Sequence, residues 1–225
     1  APRTGDFGRS DDIVQGVLKG SRAFDIGINQ PEQPVRVGEM RRPQAAGIVE
    51  GMEAGGHDGK LTLMALLENV LPDIEIPVIA AGGIADGRGI AASLLMGASG
   101  VQMGTRFLLA EECSLHPKAK DAIMAAADTD SVVTGFTTGD SVRGLKNRFS
   151  DRYLKAEYSG ASPDELSSIS AGTTKRGALF GDTENGFILA GMSLTHLTKI
   201  QSAKEIVEEL VSETEQRLAA APGLI

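Results

Sequence analysis

A chain of 225 residues, 41% of them hydrophobic, is long enough for one ordinary domain with a sizeable core. Its net charge of −8 and pI near 5.0 argue against a nucleic-acid footprint spread over the whole surface. The single cysteine, Cys113, excludes an internal disulfide and a cysteine-based zinc site.

In the first 45 residues, "DDIVQGVLKG" fits a helix and "FDIGIN" a short strand, and prolines interrupt "PEQPVRVGEMRRPQ". The opening "APRTGDFGRSDD" lacks the apolar stretch of a signal peptide, and no run has membrane length, so a cytoplasmic location is expected. From residue 46 the pattern becomes regular. "AGIVEG" predicts a strand ending in the glycine-rich loop "EGMEAGGHDG", and "LTLMALLENVLPDI" sets Leu63, Leu66, Leu67 and Val70 on one side of a helix. "IPVIAAGG" is a continuous apolar run, as in a strand buried on both faces. "DGRGIAASLLMGA" predicts the next helix and "GVQMGTRF" the next strand; close strand–helix alternation implies βα units and a parallel sheet.

After residue 107 the pattern predicts helices and loops: "HPKAKDAIMAAA", "SPDELSSI" with a Ser162 cap, and "SAKEIVEELVSETEQRLAAA" stopped at Pro222–Gly223. "VRGLKNRFSDRYLK", residues 142–155, gathers Arg143, Lys146, Arg148, Arg152 and Lys155; it reads as a solvated helix face or as a patch for an anionic partner. The chain thus divides into an atypical segment 1–45, βα units over 46–110, and a helical region 111–225.

In parallel α/β barrels the active site lies where strands end, and a phosphate commonly sits after the last two strands. Gly82 and Gly83 in "AAGGIADG" let backbone N–H groups approach a phosphate, and Gly104 and Thr105 in "VQMGTRF" add amides and a hydroxyl at the next strand end. His57, at the preceding strand end, faces the same mouth with a side chain suited to proton transfer near neutrality. Glu53 either orients His57 or is a solvated surface group. With Asp58 these make too sparse a set for a metal. Arg106 reads as a structural ion-pair residue, and Cys113, with only His116 nearby in sequence, as structural or incidental.

With these motifs in view, the chain resembles the FMN-dependent family of enoyl-acyl-carrier-protein reductase II and nitronate monooxygenase. The resemblance runs from Gly47 to Glu209 and rests on "EGMEAGGHDG", "IPVIAAGGIADGRGI", "GVQMGTRFLLAEEC", "VRGLKN" and "GDTENGFILAG". It implies an α/β fold of (β/α)8 TIM-barrel type, N-terminally incomplete in this chain, with a C-terminal helical segment as a lid. It also implies an FMN site formed by Gly55, Gly56, Gly82, Gly83, Gln102, Met103, Gly104 and Thr105, with His57 as the catalytic residue over the flavin. "SPDEL…GDTENGFILAGMS" resembles the reductase branch, which uses NADH or NADPH to reduce 2-enoyl thioesters on a carrier protein in fatty acid synthesis. Nitronate oxidation is the alternative, and His57 is compatible with both. The chain departs from the family at Met192, where glutamine is usual. "FDIGIN" resembles the family's flavin-contacting strand, with Asn29 in the matching place. Only about 45 residues precede the first matched strand, against roughly 120 for the missing barrel strands. The expectation is therefore a partner chain or a homo-oligomer completing the barrel, including a split-enzyme or non-catalytic subunit.

Overall fold

The computed structural model describes residues 24–25, 46–127 and 129–224. The helix expected within 11–20, Asn29 and the proline-interrupted stretch lie outside the described residues.

The chain enters as β1 (Phe24–Asp25), β2 (Gly47–Glu50) and the two-residue β3 (Gly56–His57). Helix α1 (Leu63–Val70) follows and buries Leu63, Leu66 and Leu67, while Val70 packs at the margin of the same cluster. Its first turn has no side-chain cap from Thr62; the carboxylate of Glu53 accepts from Leu63 N–H at 3.0 and 3.1 Å instead. After a single 3₁₀ turn, Leu71–Asp73, come β4 (Val78–Ala81) and α2 (Gly87–Met96). Asp86 caps α2 by accepting from the N–H groups of Arg88 and Gly89, and Gly97 closes it at φ 112°, a conformation glycine adopts without strain. Next are β5 (Gly100–Gln102) and the short α3 (Thr105–Leu108). The expected strand "GVQMGTRF" therefore ends at Gln102, and its last residues turn into a helix.

Strands β1, β2, β4 and β5 form one parallel sheet in that order, with Gly47 opposite Val78 and Ala81 opposite Gln102. Val49, Val78 and Ala80 pack against Leu63, Leu66 and Leu67 to make the first core. Full burial of each large aliphatic side chain is worth about 1.5–3 kcal/mol. The fold class is α/β; the described strands form an open sheet and do not display a closed barrel.

The C-terminal region holds more than helices. Helix α4 (Pro117–Ala125), capped by His116 Nδ1 accepting from Lys118 N–H at 3.2 Å, leads to strands β6 (Ser131–Thr134) and β7 (Val142–Leu145). With β3 they form an antiparallel sheet in the order β3-β7-β6. This corrects the expectation of a helix face over 142–155. Its first four residues are strand, and Arg143 is buried at 6% exposure. Arg143 donates from Nε to Met52 O at 3.0 Å and from Nη1 to Ser131 Oγ at 3.0 Å, and its Nη2 lies 3.6 Å from Asp58. Only from α5 (Arg148–Tyr158) does the basic stretch become a helix, with Arg148, Arg152 and Lys155 exposed.

Capping boxes at Asn147, Ser162 and Ser202 start α5, α6 (Pro163–Ser170) and α8 (Ala203–Ala220); α7 (Thr173–Phe180) lies between the last two. Helix α8 runs on through a 3₁₀ turn, Ala221–Leu224, and packs along α2, so it belongs to the helical layer of the parallel sheet. Cys113 is half-buried against Ala110, Ile206 and Leu210.

Candidate functional site

Glu50, Ala81 and Gln102, the last residues of three neighbouring parallel strands, open onto one cleft of about 180 Å³. Gly55, Gly82, Gly83, Gln102, Met103, Gly104 and Thr105 all line it. Gly82 and Gly83 turn through φ 95° and 71°, where a side chain is strained; a Cβ on Gly82 would also sit 3.0 Å from Gly51 O. Among the described residues, the backbone N–H groups of Gly83, Gly104 and Thr105 make no hydrogen bond outside the helices and strand ladders, while that of Gly82 continues the pairing of Ala81 with Gln102. The N-terminus of α2, by contrast, is already served by Asp86 and by Glu213, which accepts from Gly87 N–H at 2.9 Å. Gly83 and Gly104 are exposed, so water can serve their N–H groups, and main-chain donors gathered at one cleft wall suit an anion. Open space lies beside Gly104, where an added Cβ would meet nothing within 4 Å. These residues fit a phosphate, held by main-chain amides from two successive strand ends.

The glycine-rich loop has a second tenant that the sequence did not announce. A Cβ at Gly55 would lie 2.5 Å from Ala190 C and Gly191 N, so this glycine admits the backbone of "GDTENGFILAG". Gly191 N–H donates to Thr105 Oγ1 at 2.9 Å and Met192 N–H to Glu53 O at 2.9 Å. The Thr105 hydroxyl is thus an acceptor for the C-terminal motif, with its own proton left over. The departure at Met192 leaves the main-chain contact intact, since its side chain is exposed. Leu189, Gly191 and Ser193 complete the cleft wall.

Gly56 and His57 do not line this cleft. They pair with Arg143 and Val142 of β7, which carries the imidazole onto the neighbouring antiparallel sheet. His57 is exposed, and its Nε2 lies 3.0 Å from Asp140 Oδ1. Glu53 does not orient it; that carboxylate is engaged at the N-terminus of α1. Neither sequence-based expectation for Glu53, orienting His57 or a solvated surface role, describes it; the acid beside His57 is Asp140, reached only through the pairing of β3 with β7. Arg143 was missed for the same reason. Asn147 left a signal, a cap-forming residue ahead of a helical pattern. It also donates from Nδ2 to Thr183 O and Gly186 O, both at 2.7 Å, joining "VRGLKN" to "GDTENG". Burial pushes the Arg143 pKa down, with Asp58 and Glu53 opposing it. Burial does the same at Arg106, opposed by Glu209 and Glu213; Arg106 sits 3.8 Å from Glu209 and donates to Gln201 Oε1, as a structural ion-pair residue does. Among the described residues, no helix is long and apolar enough to cross a membrane.

A family model described as nitronate monooxygenase matches residues 36–213, most of the chain. This chain belongs to the nitronate monooxygenase family. A probable nitronate monooxygenase of Staphylococcus aureus (strain MSSA476) is 35% identical over 181 residues, which cover 75% of this chain and 50% of the relative. FabK from Thermotoga maritima superposes with a TM-score of 0.77 at 39% identity, covering 80% of this chain and 57% of that one. Nitroalkane oxidase from Streptomyces ansochromogenes gives 0.65 at 31% identity, with 78% and 53% covered. The chain spans about half the length of the curated relatives it matches. Members of the family are flavin-dependent oxidoreductases, so the chain belongs to a family of enzymes.

Proposed function

We propose that this chain binds FMN and takes part in the NAD(P)H-dependent reduction of 2-enoyl thioesters. The observation that carries the reading is the cradle of main-chain donors at Gly82, Gly83, Gly104 and Thr105, which would hold the FMN phosphate. Bound there, the flavin would take a hydride from the nicotinamide and pass it to the β-carbon of the enoyl group. His57 would supply the proton that the α-carbon takes up, so that one hydride and one proton saturate the double bond. Met103, Leu189 and Gly191 would wall the cleft beside the bound group and limit its access to water. Arg148, Arg152 and Lys155 share one exposed face of α5 and form no ion pair among the described residues, which suits an acidic carrier of the thioester. The likeness of "GDTENGFILAGMS" to the reductase branch, together with the place of that segment in the cleft wall, favours this reading.

Nitronate oxidation is the second reading, favoured by the name its curated relatives carry. An anaerobic visible spectrum of the purified protein, before and after NADH or NADPH, separates the two. Bleaching of a yellow protein, with colour restored by a 2-enoyl thioester, is the expected result. Colour that neither nucleotide bleaches, but that a nitronate does, would replace this reading with the second.

A further inference from the structure

We propose that Asp140 is a positioning residue for His57, binding Nε2 so that Nδ1 is left to carry the proton, and that buried Glu157 shapes the hairpin presenting Asp140. The proposal rests on the reading of His57 as the catalytic residue.

Asp140 lies in the turn joining β6 to β7. That turn is folded by two glycines, Gly135 at φ 79° and Gly139 at φ 77°, and by Thr138 Oγ1 donating to Gly135 O at 2.9 Å. From below, Glu157 of α5, only 3% exposed, accepts from Gly135 N–H at 3.2 Å, Thr137 N–H at 2.8 Å and Thr137 Oγ1 at 2.9 Å. No described cation pairs with Glu157, so the three donors of this turn are what satisfy its buried carboxyl oxygens. A buried carboxylate is a costly way to hold a surface turn unless the shape of that turn matters.

The other partner is fixed as well. The backbone of His57 pairs with Val142, and Arg143 grips the same loop through Met52 O and Asp58. Exposed ion pairs usually contribute little, because two long side chains must be ordered to make them. Here both side chains are short and both backbones are anchored, so little ordering is left to do. With Nε2 donating to Asp140, the neutral ring keeps its lone pair on Nδ1, and the charged ring presents its second N–H there.

The test is long-range ¹⁵N–¹H spectroscopy of the histidines in the flavin-loaded protein, compared with Asp140→Asn, Glu157→Gln and His57→Ala. The native His57 should be mainly the Nε2–H tautomer at neutral pH. Asp140→Asn, an exposed change that spares the fold, should move it towards a mixture. Glu157→Gln should move it part of the way, with native far- and near-ultraviolet circular dichroism. In turnover, Asp140→Asn should slow the enoyl step about tenfold while leaving flavin reduction unchanged, and should add nothing in the His57→Ala background. An Nδ1–H tautomer in the native protein, a tautomer unmoved by Asp140→Asn, or an equal slowing on top of His57→Ala would overturn the proposal. Full turnover in His57→Ala would remove the catalytic reading itself, an outcome that the tautomer spectra register separately.

Discussion

The parallel sheet β1-β2-β4-β5 and the antiparallel sheet β3-β7-β6 meet at the glycine-rich loop between β2 and β3, yet they offer different kinds of groups. At the ends of the parallel strands the groups proposed to bind are main-chain amides, and glycines keep side chains out of the way: Gly82, Gly83, Gly104. On the antiparallel sheet the groups proposed to work are side chains, His57 and Asp140, with Arg143 and Glu157 hydrogen-bonded to the segments that carry them. A backbone site is damaged by adding atoms and a side-chain site by removing them, so the two regions should respond to opposite kinds of substitution.

The largest effect is expected on the antiparallel side. His57→Ala should keep its flavin and lose about 10²–10⁴-fold in turnover, the range for a general acid, as read from flavin content and kcat/KM together. Arg143→Ala should cost about 3–5 kcal/mol of stability, because it strands the buried Asp58 and frees Met52 O and Ser131; chemical denaturation measures it, and a change within 1 kcal/mol would remove Arg143 as the anchor.

How well each side could be read from sequence follows the same division. Glycines at two successive strand ends are legible as a backbone site, and Gly82, Gly83, Gly104 and Thr105 do line one cleft; Gly55, Gln102 and Met103, which line it too, follow only from the family resemblance, as does Gly56, which does not. The run "IPVIAA" and the cap Ser162 are equally plain, since apolar continuity and capping chemistry are local. The antiparallel strands were missed because they are short and β7 carries a cation and a glycine, Arg143 and Gly144. Arg143 is buried against groups far away in sequence, and Gly144 makes room for the Phe187 ring and Ile188 O. Only tertiary pairing makes such residues interior. Gly55 was identified as important, but part of its role lies in the 190–191 backbone that it admits.

Addition of atoms sharpens the comparison on the parallel side. Gly104→Ala places a methyl where the fold has open space, so its melting temperature should stay within about 1 °C of the native protein while FMN affinity drops about tenfold. Paired fluorescence titration and thermal melts measure the two. A fall in melting temperature without loss of affinity would mean that Gly104 serves the fold and not the ligand.

The smallest effect concerns the helical layer. Lys199 and Gln201 hydrogen-bond the Glu209 carboxylate and, against partial burial and with Lys199 and Arg106 as nearby charges, hold its pKa below the ordinary glutamate value. A depressed carboxylate stabilises the fold above its ordinary pKa and loses that contribution as pH falls through the folded value. Glu209→Gln should therefore flatten the loss of stability below about pH 4.5 by less than about 1 kcal/mol. Acid-titrated melting curves that match the native protein would place the acid-sensitive group elsewhere.

Main-chain donors holding a phosphate are tested most directly by comparing FMN with riboflavin, which has the same ring and no phosphate. In fluorescence titrations of the flavin-free protein, FMN should bind about a hundredfold more tightly than riboflavin, the share expected of two or more charge-assisted hydrogen bonds. Equal affinities would contradict the cradle at Gly82, Gly83, Gly104 and Thr105.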